Sequence, residues 1–197
     1  MAQAHPGAPP EPRTVRGFVL FKWLVYALLA ANVVLYAHAG TATETIDTAA
    51  WMVLLLMFEW ETGGWHLPTW SRTASRALRA IASLAVLWAC IDYGLSGEWL
   101  DFANASAWLG VVFALELEVR LPARRRYLHH VRRASSWVLY LALAGFAIAW
   151  WLLALRVGDA GDWLDAWDAT LWLAAFLAIE LNVFGLASRQ PRMRDAP

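Results

Sequence analysis

Six stretches of about twenty predominantly apolar residues divide the chain, at about 17–38, 48–67, 77–95, 103–121, 135–156 and 168–187. Each is long enough to cross a hydrocarbon core of about 30 Å as a helix. None alternates at period two, and Ala and Leu dominate them, so strands are disfavoured. Backbone amides in lipid must be satisfied within the segment, which leaves helices. Only 16% of residues are charged and 60% are hydrophobic, where a soluble domain has about 25% and about 45–50%. The expectation is an all-α integral membrane protein with six transmembrane helices.

Charge sets the orientation. Of the sixteen Lys and Arg residues, all but Arg156 fall at one end of these segments. They lie in the first tail (Arg13, Arg16, with Lys22 just inside), around Arg72–Arg79, around Arg120–Arg133, and in the last tail. Basic residues favour the cytoplasmic side, so both termini are expected there, in a plasma (inner) membrane. The expected divisions are a cytoplasmic tail at 1–16, one membrane domain at 17–187, and a second tail at 188–197. The first segment has the basic start and apolar middle of a signal peptide. It is too long for one and fills the first place of an internal pattern, so it is read as a retained helix.

That pattern recurs three times. Gly40, Glu44, Asp47, Trp51, Glu59 and Glu61 have the same spacing as Gly97, Asp101, Asn104, Trp108, Glu116 and Glu118. Gly161, Asp165, Asp168, Trp172, Glu180 and Asn182 follow it again. The odd segments share less: Tyr36 and Tyr93 each precede their glycine by four residues. The reading is three tandem helical hairpins (17–68, 77–122 and 134–187) in parallel topology. Each starts in the cytoplasm, so the copies are related by axes along the membrane normal. This disfavours an inverted-repeat transporter and favours a pore, a binding site or a scaffold.

Most of the pattern has a structural explanation. Asp47, Asn104 and Asp168 suit helix N-caps, and Gly40, Gly97 and Gly161 suit turns. Trp51, Trp108 and Trp172 suit an interfacial aromatic belt. The outer-face acids, with Glu44, Asp101, Asp165 and Asp92 among them, would attract cations to that side.

The deeper carboxylates are harder to explain. Glu59 lies twelve residues beyond Asp47, roughly 18 Å along a helix, and a carboxylate at the centre of a bilayer costs about 2.5–3.5 kcal/mol. Residues two apart on a helix point to nearly opposite sides. Glu59, Glu116 and Glu180 would therefore share one environment, and Glu61, Glu118 and Asn182 another. One reading pairs these acids with Lys22, Arg79, Arg120 and Arg132–Arg133 to fix helix packing. The other makes Glu59, Glu116 and Glu180 a cluster that binds or relays protons or a hard cation.

Enzyme signatures are incomplete. Gly94, Ser96 and Gly97 spell the Gly-x-Ser-Gly that resembles rhomboid intramembrane proteases, whose six helices pair that serine with a histidine in the last. No histidine follows His130, so the base is missing. The histidines (5, 38, 66, 129 and 130) have no zinc spacing, and no nucleotide-binding glycine pattern occurs. Cys90 stands alone, so no internal disulfide forms. Asn32, Asp92 and Arg156 read as helix–helix hydrogen-bonding or snorkelling residues. No cofactor, metal, nucleic acid or catalysis is expected. The expected partners are the lipid bilayer, a proton or cation, and a second copy or a larger membrane complex. The expected function is cation or proton handling, with a structural or accessory subunit as the alternative.

Overall fold

A computed structural model describes residues 13–62, 69–120 and 126–187, and the side chains of 17–61, 72–114 and 137–178. Among the described residues the chain forms six helices: α1 (Arg13–Ala39), α2 (Ala42–Thr62), α3 (Thr69–Ser96), α4 (Trp99–Arg120), α5 (Arg126–Val157) and α6 (Ala160–Ala187). Most of the two expected tails, together with His66, lies outside the described residues.

Each helix packs against its neighbours in sequence, and α1 packs against α6, so the six close into a ring. Alanine makes the close approaches: Ala82, Ala89, Ala105, Ala154, Ala166 and Ala175 are all almost completely buried. Small side chains let helix backbones come near enough for dispersion contacts without large apolar wedges. Larger residues join three helices at one seam, where Val25, Tyr26 and Leu29 of α1 meet Met52 and Leu55 of α2 and Leu171 of α6. Elsewhere Leu143 of α5 packs on Ala107 and Val111 of α4.

The outside of the ring is apolar. Leu20, Ile81, Leu84, Phe113, Leu141 and Leu155 are all well over half exposed. Three helices are long and apolar enough to cross a membrane by length and composition, at Gly17–Ala39, Arg72–Ser96 and Trp137–Val157. These belong to the odd-numbered helices. The even ones carry the acids, for example Glu44, Asp47, Glu59 and Glu61 in α2, which lower their hydropathy.

The helix starts differ from the cap positions expected from sequence. Asp47, Asn104 and Asp168 lie well inside α2, α4 and α6. The first turn of α2 is instead closed by a reciprocal capping box. Thr41 Oγ1 accepts from the Glu44 amide at 3.2 Å, and Glu44 Oε2 accepts from the Thr41 amide at 2.6 Å. At α6 it is Asp159 that accepts from the Ala160 amide, at 2.6 Å. The glycine turns hold in two copies. Gly40 sits in the α1–α2 bend, and Gly97 turns the chain into α4 with φ of 81°. In the third copy the turn glycine is Gly158, with φ of 76°, and Gly161 is helical. The longer α5 connection moves the turn three residues upstream of the position the pattern indicates.

Candidate functional site

On each even helix the pattern places an acid, a second polar residue three positions on, and a tryptophan four further. Spacings of three and four return to one helix face. The rise per residue sets these tiers about 4.5 Å and about 6 Å apart. Because the ring turns this face of α2, α4 and α6 inward, residues from all three helices meet on a common axis.

The inner tier is the clearest. Trp51 and Trp108 have ring centroids 6.2 Å apart, Trp51 and Trp172 are 6.3 Å apart, and Trp108 and Trp172 are 6.3 Å apart. The three indoles form a nearly equilateral triangle of edge-to-face and tilted contacts, each within the favourable range for aromatic pairs. They do not form the interfacial belt expected from sequence. The triangle fills the axis, because a large flat side chain from each helix spans a gap that smaller residues would leave open.

Directly outside the triangle lies a chamber of about 30 Å³, lined by Asp47, Thr48, Asn104, Asp168 and the three tryptophans. Outside that, and sharing several of its walls, is a cavity of about 50 Å³. Its carboxylates are Glu44, Asp47, Asp101, Asp165 and Asp168, and Tyr36, Tyr93 and Trp150 complete its wall; no Lys or Arg lines it. Liquid water occupies about 30 Å³ per molecule, so the two spaces admit one to a few small species.

Hydrogen bonds hold the carboxylates from behind. Tyr36 Oη donates to Asp165 Oδ1 at 2.7 Å, and Asn32 Nδ2 donates to Asp168 Oδ1 at 2.6 Å. The indoles of Trp51 and Trp172 donate to Asp47 and Asp168, four residues earlier on the same helices. Two buried side-chain oxygens, Asp47 Oδ1 and Asn32 Oδ1, have no hydrogen-bond partner among the described residues. Burial, reinforced by the like charges of Asp165, Glu98 and Glu44, pushes the Asp101 carboxyl up to about 7. Burial likewise pushes Asp165 up to about 6, against the lowering effect of the Tyr36 hydroxyl. Both residues precede the apolar spans of their helices.

The deeper acids have a different setting. Glu59 forms an ion pair with Lys22, which is itself buried, and accepts a hydrogen bond from Tyr26 Oη at 3.2 Å. Glu61 pairs with Arg79 on α3, closer to solvent. As the opposed directions of residues two apart require, the two glutamates engage different neighbours. The side chains of Glu116, Glu118, Glu180 and Asn182 lie outside the described residues. Among the other single polar residues, Asp92 accepts from Thr43 Oγ1 at 2.6 Å, joining α3 to α2. Asn32 also bonds between helices, as expected.

Among the described residues, no three His, Cys, Asp or Glu side chains form a group that could hold a metal ion by themselves. Tyr36, Thr48, Tyr93, Asn32 and Trp150 join the site without having been singled out for it from sequence. The signal for the inward face was present in the three-plus-four spacing. Nothing in the sequence says which odd-helix residues back it. Comparison with family models, with curated proteins and with solved structures finds no match to this chain.

Proposed function

We propose that the chain is a small six-span membrane protein of three tandem hairpins that handles protons or cations through its axial carboxylates. The observation carrying this reading is the axial cavity: five carboxylates and no basic side chain line it, and three indoles close its inner end. Such a concentration of like charge raises proton affinity and attracts cations. An apolar exterior with polar groups directed inward is the arrangement a lipid environment favours.

All six helices are taken as spans, because the even helices belong to the same closed ring as the three apolar ones. The shortest, α2, has 21 residues, about 31 Å at the standard rise, enough to cross. The basic residues put both termini on the cytoplasmic side of the plasma (inner) membrane, so the cavity faces outward and the Lys22–Glu59 pair lies toward the cytoplasm. The test is flux in proteoliposomes under an imposed potential, read with a pH dye and with sodium and potassium indicators. Asp101→Asn and Asp168→Asn should each reduce flux at least tenfold with folding intact. A wild-type protein that passes neither protons nor cations at any pH or voltage removes the reading.

A second reading, an accessory subunit of a larger membrane complex, is favoured by the two ion pairs. They give Glu59 and Glu61 structural partners and leave the exposed tryptophans, among them Trp23, Trp60 and Trp137, as docking positions. Gentle extraction should then yield a stoichiometric partner that is lost when these tryptophans are changed. A lone monodisperse protein would remove that reading.

A further inference from the structure

We infer that the inner chamber is a binding site for one monovalent cation stripped of its water shell, with Asp47, Asp168 and Asn104 supplying oxygen ligands. This rests on reading the axial acids as a cation or proton site, and names the occupant and its ligands.

Four observations select the occupant. The first is size: the chamber encloses about 30 Å³, the share of one water molecule, so a hydrated ion or an organic substrate is excluded.

The second is the orphaned oxygens. Asp47 Oδ1 lies in the chamber wall, fully buried, with no hydrogen-bond partner among the described residues. Asn32, wholly buried behind the chamber, donates through Nδ2 to Asp168 while its own Oδ1 also has no such partner. Buried polar atoms of native proteins nearly always have a partner. Both orphans are acceptors, so what is missing at this level is positive charge or a donor.

The third is the charge of the lining. Two of the three equivalent positions are aspartates and the third is Asn104. Calcium takes six to eight oxygens, and magnesium keeps several waters; neither the count of carboxylates nor the space supplies these. A monovalent ion needs fewer ligands and less neutralisation.

The fourth is the indole triangle beneath. Aromatic surface favours weakly hydrated cations such as potassium or ammonium. It also blocks the axis, so an ion entering from the outer cavity stops there.

The experiment is thermal unfolding of the purified full chain in detergent at pH 8. NaCl, KCl and NH4Cl are titrated against choline chloride at constant ionic strength, with MgCl2 as a further arm. A ligand that binds only the folded state raises the midpoint with a saturable, single-site dependence. The expected result is such a rise for at least one small monovalent ion, with apparent affinity weakened tenfold or more in Asp168→Asn and in Asp47→Asn. Asn104→Asp should shift the preference toward Mg²⁺. If Asp168→Asn fails to fold, Asp47→Asn carries the same comparison.

Midpoints equal to those in choline for all three ions overturn the site, and so does a rise that survives the double variant Asp47→Asn/Asp168→Asn. A response to pH alone also overturns it and leaves proton handling standing. Saturable binding without flux in liposomes keeps the site and removes transport.

Discussion

Tyr36 of α1 donates its hydroxyl to Asp165 of α6 at 2.7 Å across the contact that closes the helical ring. One turn deeper, Asn32 makes the equivalent bond to Asp168. Both acceptors also line the axial cavity. Ring closure and the candidate site therefore share the same two carboxylates, and a change at one should be felt at the other.

Tyr36→Phe removes the donor and leaves the ring in place. The expected loss of stability is about 0.5–2 kcal/mol, read as a lower thermal midpoint. Because the hydroxyl lowers the pKa of Asp165, its removal should also move the titration of that carboxyl further up, as seen in the infrared carboxyl band. An unchanged Asp165 band would show that the bond does not form in solution.

Stability should fall as pH rises through neutrality. Burial raises Asp101 to about 7 and Asp165 to about 6, above the unfolded value of about 3.9. For acids whose folded pKa is raised, the folded state binds the extra proton. Their contribution is therefore complete below the unfolded pKa and is lost as pH rises through the folded values. In choline buffers, the thermal midpoint should decline between pH 5 and pH 8, and Asp101→Asn should flatten part of that decline. A midpoint that climbs across this window would contradict the assignment.

Lys22→Met should be among the most damaging single changes in the inner half. The ammonium is 10% exposed and the Glu59 carboxylate 18% exposed, so removing one partner leaves a poorly solvated charge, at a cost of about 3–5 kcal/mol. Combining it with Glu59→Gln should recover most of the loss, whereas independent contributions would add. A double-mutant cycle on unfolding free energies separates the two outcomes.

Two glycines should respond oppositely to alanine. A Cβ at Gly40 would lie 2.7 Å from Glu44 Oε2 and from Tyr36 Cδ1, and 3.0 Å from the Tyr36 carbonyl. Gly40→Ala must therefore displace the capping carboxylate or the tyrosine that supports Asp165, at a cost of about 1–3 kcal/mol. At Gly145, within α5, a Cβ would meet nothing within 4 Å, so Gly145→Ala should be neutral or stabilise by up to about 1 kcal/mol. Equal effects in parallel melts would exclude a special role for the Gly40 bend.

Much of the helix content was legible in the apolar segments, and their boundaries came out close to the helices observed. The acid, polar residue and tryptophan at three-plus-four spacing were also visible, but caps and a lipid belt explained them equally well. Capping was misassigned because Asp47 and Asp168 are good cap residues by type, while Thr41 with Glu44, and Asp159, stand earlier and satisfy the amides first. For Trp51, Trp108 and Trp172 the ambiguity is physical. An indole one or two turns into a helix suits a headgroup interface and a helix interior alike, and only the rotation of the helix decides between them.

By itself, then, the order of amino acids determined that the chain makes long helices, that their basic ends lie on one side, and that three of them carry the same ladder of acids and indoles. These follow from local periodicity, backbone satisfaction and charge, none of which needs a partner helix. Only the tertiary structure decided that the ladders face one another. It brought α1 against α6, enclosed five carboxylates without a basic side chain, set three indoles beneath them, and gave Glu59 to Lys22. Such outcomes depend on how each helix is rotated in the ring, and that rotation is settled by close contacts between residues far apart in the chain.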